Sequence, residues 1–190
     1  IIHIQELGGT SAGIQAGMDA AQRLVMQISG QQRETCDISN LTMAIKCGGS
    51  DTTSGMASNC VIGYVADKLV DLGATVVFGE TTEFLGGEHI LASRAVGGPD
   101  GPVAKKIYEI VERMENRAKA IGEDMRGGQP TPGNIAGGLS SIEEKSLGAI
   151  VKSGHRPIQG VLEYTDRITD QKGLWIKDTP GREPEILTGM

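Results

Sequence analysis

Aromatic side chains are nearly absent from this 190-residue chain, which holds two Phe, three Tyr and a single Trp. Any core must therefore be built from Ile, Leu, Val, Ala and Met. Cysteine is scarce too. Cys36, Cys47 and Cys60 are too few and too irregularly spaced for a disulfide framework or a zinc-ligand pattern. Reduced thiols, and with them a cytoplasmic location, are the expectation. Positive charge is short: 18 Lys and Arg against 24 Asp and Glu leave a net charge of -6, with no basic cluster. A nucleic-acid partner held through a basic face is excluded on that balance. No apolar run reaches membrane-spanning length and no secretory leader is read, so no membrane partner is expected.

Glycine, by contrast, is plentiful, with 28 residues gathered mostly in loops. Hydrophobic content of 38% and charged content of 22% describe an ordinary globular chain. Its length suffices for one domain spanning 1–190 with a real core. Both ends look cut. The chain opens inside an apolar, strand-like run, IIHIQE, and stops at EILTGM, partway into what reads as a starting helix. A segment of a longer protein, with a fold incomplete at both ends, is expected.

Apolar runs alternate with helix-period segments. Residues 1–6 read as a strand. From Thr10, Ile14, Met18, Ala21, Val25 and Ile28 recur on one helix face. Leu41–Lys46 reads as a strand, and Val61, Val65, Leu69 and Leu72 as the stripe of a helix that Gly73 ends. The nearly all-apolar Ala74–Phe78 fits a strand covered on both faces. A short helix near 88–96 and a longer one with Ile107, Ile110, Met114, Ala118 and Ile121 inward follow. Residues 126–141, RGGQPTPGNIAGGLSS, form an irregular Gly/Pro loop, and Ser140 and Ser141 with Glu143 and Glu144 carry a capping-box signature for the next helix. Ile158–Tyr164 and Leu174–Ile176 read as further strands. Strand–loop–helix alternation implies an α/β fold: a Rossmann-like, mostly parallel sheet with helices on both faces. Right-handed crossovers gather the strand-to-helix loops at the sheet's carboxyl edge, where ligands bind.

Two loops fall on that edge. The first, KCGGSDTTSG, packs an amine, a thiol, a carboxylate and several hydroxyls onto one bend. Gly48 and Gly49 let backbone N–H groups face an anion. Ser50, Thr52, Thr53 and Ser54 suit oxygen-rich ligands, Asp51 suits a metal or cation, and Lys46 suits a substrate carboxylate or proton transfer. The alternative is a capped helix start in a solvated loop, and the spacing is not that of a P-loop. The second, GETTEFLGGEH, offers Glu80, Glu83, Glu88 and His89 as hard-metal ligands or acid–base groups, against the plainer reading of solvated loop residues. The 126–141 stretch, abutting a well-capped helix, reads as a shaped loop rather than a linker. His155 reads as a surface turn residue, Cys36 and Cys60 as packing residues, and Tyr164 and Trp175 as core or interface.

KCGGSDTTSG, ETTEFLGGEHIL, PTPGNIAGGLSSIEEKSLGAIVKSG and GLWIKDTPGREPE, in this order, resemble the main domain of the altronate dehydratase/galactarate dehydratase family. That family also contains the large subunit of sulfolactate sulfo-lyase. The resemblance covers almost the whole chain. It implies a Rossmann-like catalytic domain that binds a divalent metal, Fe²⁺ first, with Mn²⁺ or another divalent ion as alternatives. It also implies a small N-terminal β-rich domain or separate small subunit, a homo-oligomer, and a small hydroxy acid as ligand. The reaction implied removes a proton from the carbon next to a carboxylate and expels water, or sulfite, from the next carbon. On this resemblance Lys46, Glu83 and His89 are the catalytic candidates. Gly48, Gly49, Ser50, Thr52 and Asn134 are the substrate-binding candidates, and Cys47, Asp51 and Glu80 the metal candidates. A sulfo-lyase subunit and a non-catalytic ligand-binding or assembly domain stand as alternatives, and residues 1–190 alone are expected not to turn over. A nucleotide-binding module is disfavoured because GxGxxG follows no candidate strand.

Overall fold

The computed structural model describes residues 1–168, 171–181 and 185–186. The chain divides into two compact units, Ile1–Cys36 and Asp37–Met190. In the first, residues 4–8 form turns where a strand is expected from sequence. Ile4 turns back to touch Gly13, the one buried residue of helix α1 (Thr10–Ser29). The helix forms as its period requires, yet its apolar face is open: Ile14, Met18, Val25 and Ile28 are all exposed.

The second unit is a four-stranded sheet, every pairing parallel, in the order β1-β2-β4-β3. The strands are β1 (Thr42–Ile45), β2 (Thr75–Phe78), β3 (Ile158–Leu162) and β4 (Gly173–Lys177). The α/β, Rossmann-like expectation holds. Every residue of β2 is buried, so both faces of the sheet are covered there. The aliphatic core runs from Val76, Ile158, Leu174 and Ile176 into Leu91, Ile107 and Ile110. Phe78 and Phe84 meet edge-on within it, ring centroids 5.5 Å apart.

Between β1 and β2 runs α2 (Asn59–Asp71), preceded by a π-helical turn at Ser54–Ser58. It ends as expected at Gly73 (φ +81), with Gly73 N bonded to Val70 O and Ala74 N to Leu69 O, the paired bonds of a Schellman stop. Its buried face is not the expected one. Of the expected stripe Leu69 packs against the core, but Val61, Val65 and Leu72 are exposed, whereas Gly63 and Ala66 are buried. Gly63 is the reason: a Cβ there would collide with the Val151 carbonyl and Gly154, so the bare backbone lets the turn Val151–Ser153 dock against α2. Asp67 fastens that turn by accepting from His155 N at 2.7 Å and Arg156 N at 3.0 Å. Arg94 adds bonds to Ser153 Oγ and to the carbonyls of Ser153 and Arg156.

Between β2 and β3 lie α3 (Glu88–Ser93), α4 (Pro102–Ala120), α5 (Met125–Gly128), α6 (Pro132–Ala136) and α7 (Ile142–Ile150). The α4 stripe points inward through Ile107 and Ile110, but Ile121 has left the helix and is exposed. The 126–141 stretch is more regular than its Gly and Pro content implies. Thr131 and Asn134 form a reciprocal capping box on α6. At α7, Ser141 Oγ accepts from Glu144 N as expected, but the Glu144 carboxylate takes Ser140 N and Oγ instead of closing a second box. Cys36 and Cys60 are exposed rather than packed inside. The reason for Cys60 is its place beside Val61 on the open face of α2. His155 is exposed as read, and half-buried Trp175 packs its ring against Gly160, where a Cβ would collide with it.

Candidate active site

The loops after β1 and β2 meet, with α5–α7, around a cleft of about 600 Å³ at the sheet's carboxyl edge. Lys46, Cys47, Gly48, Gly49, Ser50, Glu80 and Glu83 line it together with Gln129, Thr131, Asn134 and Lys145.

Glu80 is the hub. It adopts a left-handed conformation (φ +66), unusual for a residue with a side chain. The end of β4 holds it there: Glu80 N donates to Thr179 Oγ1 at 2.7 Å and Thr81 N to Thr179 O at 3.1 Å. Its Oε2 accepts from Cys47 N at 2.6 Å, and its Oε1 lies 3.5 Å from Lys46 Nζ. One strained carboxylate thus ties the second loop to the first.

Behind the cleft wall Lys152 is buried, its side chain 2% exposed. Its ammonium lies 3.2 Å from Glu80 Oε2 and makes a very short contact with Glu83 Oε2. Burial alone pushes the Lys152 amine down, but the Glu83 and Glu80 carboxylates outweigh it and the net shift is upward. Lys152 is therefore a fixed positive charge holding two nearly buried carboxylates. Sequence reading missed it, because a lone Lys closing a helix reads as solvated.

Burial, followed by the charge of Glu83, pushes the Cys47 thiol up. Cys47 stands here as a protonated thiol beside Ser50 Oγ, 3.5 Å away. Iodoacetamide at pH 7.5 is expected to modify exposed Cys36 and Cys60 at least ~10-fold faster than Cys47, since thiolate is the nucleophile. Peptide mass spectrometry over a time course checks this, and preferential Cys47 labelling would contradict it.

The other residues singled out from sequence scatter. Asp51 does not face this cleft: its Oδ1 accepts from Ser54 N at 2.6 Å and Thr53 Oγ1 at 2.9 Å, bonds that hold the carboxyl below its ordinary range. Asp51 and Thr52 line a neighbouring recess instead. His89 is exposed on α3, away from the cleft. Asn134 reaches the cleft, but its amide is occupied. Nδ2 donates to Ser50 O at 2.8 Å, and Oδ1 accepts from Thr131 and Lys145. It fastens the Gly/Pro loop to the glycine loop.

The described residues of this chain do not by themselves assemble a metal site. Among the described residues, no group of three or more His, Cys, Asp and Glu side chains is placed to hold a metal ion. Cys47 and Glu80 come together, Asp51 does not, and the place between the two carboxylates belongs to the Lys152 ammonium.

In a parallel α/β sheet the carboxyl edge, where this lysine- and carboxylate-lined cleft lies, is the edge at which such folds bind ligands. Residues 38–190 match the family model described as D-galactarate/Altronate dehydratase, C-terminal, and the chain belongs to that family. It is 42% identical over 169 residues to the (2R)-sulfolactate sulfo-lyase subunit beta of Chromohalobacter salexigens, covering 88% of this chain and 43% of that one. To the galactarate dehydratase (L-threo-forming) of Escherichia coli it is 40% identical, covering 87% and 31%. To the altronate dehydratase of Bacillus subtilis it is 33% identical, covering 90% and 33%. The chain thus spans less than half the length of these relatives.

Proposed function

We propose that this chain carries the proton-transfer residues of a sugar-acid dehydratase acting on an altronate- or galactarate-type acid and giving a 2-keto-3-deoxy acid. The observation that carries this is the Glu83–Lys152–Glu80–Lys46 charge chain at the cleft, in a chain whose relatives include two named sugar-acid dehydratases. Glu83 takes the proton from the carbon next to the substrate carboxylate; its contact with Lys152 aims it. Lys46, steered by Glu80, gives a proton to the departing β-hydroxyl, which leaves as water with its bonding pair. The C–H electrons form the new double bond, and the enol tautomerises to the keto acid. The backbone amides of Gly48 and Gly49 and the Ser50 hydroxyl hold substrate oxygens.

The identity to a sulfo-lyase subunit favours a second reading, in which the same proton removal expels sulfite from sulfolactate. That relative's name, a subunit beta, supports work beside a second chain or small domain, and a homo-oligomer is part of the same proposal. No described helix is long and apolar enough to cross a membrane, and the cytoplasm is the proposed location. A divalent ion, Fe²⁺ first, is retained as a requirement to be tested on the intact protein.

The deciding experiment offers altronate, galactarate and sulfolactate in parallel to the intact protein under anaerobic conditions, with Fe²⁺ and with chelator, reading keto acid and sulfite. Keto acid without sulfite is expected. Sulfite from sulfolactate moves the protein to the second reading. No product from any acid overturns both.

A further inference from the structure

Several partly covered cations of the second unit face carboxylates, whereas Arg94 donates to Ser153 Oγ and to the carbonyls of Ser153 and Arg156, and Lys177 donates to Asp166 O. Lys46 faces Glu80, Lys152 faces Glu80 and Glu83, and Arg113 faces Glu163 and Asp178. Lys145, half-buried, lines the same cleft as Glu83. Its Nζ donates to two neutral oxygens, Gln129 Oε1 at 2.8 Å and Asn134 Oδ1 at 3.0 Å. Among the described residues no carboxylate lies within ion-pair reach of it. The nearby acids are turned elsewhere: Glu143 to Arg126, Glu144 to Ser140. Glu185, on the same cleft, leaves one buried carboxylate oxygen without a partner rather than meeting Lys145.

The ammonium is also fixed in place. Asn134 Oδ1 is held by Thr131 N at 3.1 Å and Thr131 Oγ1 at 2.9 Å, and Asn134 Nδ2 by the Ser50 carbonyl. Two of the three Lys145 N–H donors go to Gln129 and Asn134, and the third is left for a ligand. A partly desolvated, pre-aimed and uncompensated cation strongly favours an oxyanion.

We propose that Lys145, braced by Gln129 and Asn134, is the specificity-determining residue that receives the substrate's oxyanion head, carboxylate or sulfonate. The carbon to be deprotonated then comes to Glu83, which lines the same cleft. This rests on the dehydratase reading for its substrate class, but Lys145's part is measurable as binding alone.

The test uses the intact protein with Lys145→Met and Lys145→Arg. Binding of galactarate, sulfolactate and the neutral polyol galactitol is measured by calorimetry, and kcat and KM on whichever acid turns over. Lys145→Met is expected to weaken binding of the acids roughly 10- to 100-fold, the worth of one charge-assisted bond, to leave galactitol unchanged, and to raise KM more than it lowers kcat. Lys145→Arg is expected to restore part of the loss. Unchanged acid affinity in a folded Lys145→Met protein, or wild-type protein that binds neither acid, overturns the proposal. Lys145-dependent binding without turnover sinks the dehydratase reading and leaves this one standing; turnover with an unmoved KM does the reverse.

Discussion

Replacing Lys152 with methionine is expected to lower the unfolding free energy of the protein by about 3–5 kcal/mol, the usual cost of stranding a buried ion-pair partner. The substitution leaves two carboxylates, 4% and 8% exposed, 3.2 Å or less from where the ammonium was, with no positive charge between them. Burial of a charge is costly, and like charges together are costlier. Thermal and urea unfolding measure the loss. A double variant, Lys152→Met with Glu83→Gln, is expected to recover part of it because one stranded charge is gone. A loss below about 1 kcal/mol in the single variant, or no recovery in the double, would show that the buried cluster is not ionised as described.

The sign of the pH dependence follows. The Lys152 amine is raised above its ordinary 10.5 in the folded state. Its stabilisation is therefore fully present below the unfolded value and is lost only as pH rises through the higher folded one. Between pH 7 and 9, Lys152 contributes no fall in melting temperature; alkaline loss begins above the normal lysine range.

Lys152 also marks what sequence alone does not reveal. Strands β1 and β2 are legible because they are short apolar runs ending in glycine-rich loops, and parallel topology then brings KCGGS and GETTE together without any knowledge of side-chain contacts. Lys46, Cys47, Glu80 and Glu83 are found this way. Lys152 is not, because its burial depends on a turn docking against the bare backbone of Gly63, 89 positions back from the centre of its own turn. The α2 stripe fails for a related reason. Helical periodicity defines Val61, Val65, Leu69 and Leu72 as one face, but a close approach at Gly63 decides which side is covered, and of these four only Leu69 packs against the core. Asp51 and His89 carry the right chemistry in the right loops. The direction of each side chain is set by local bonding, to Ser54 N for Asp51, and by helix phase for His89, neither of which loop position fixes.

Glu83→Gln is expected to cut kcat on the turned-over acid by about 10²–10⁴-fold, the range for removing a general base, with KM moved less than ~3-fold. The amide has nearly the same shape as the carboxylate and its oxygen still accepts from Lys152, so the cleft keeps its form, and the anionic head of the substrate is held elsewhere. What disappears is a site for the proton. Glu80→Gln makes the contrast. Glu80 aims Lys46 and fastens Cys47 N, so its loss disturbs loop geometry and the acid together and is expected to raise KM as well as lower kcat. The separating readout is exchange of the hydrogen next to the carboxylate when the reaction is run in D₂O. Exchange into residual substrate, where the wild type shows it, stops in Glu83→Gln if Glu83 is the base, whatever happens to water loss. A Glu83→Gln protein that retains more than about a tenth of wild-type kcat, or that still exchanges that hydrogen, assigns the proton to another group, and Lys46 is then the residue to test next.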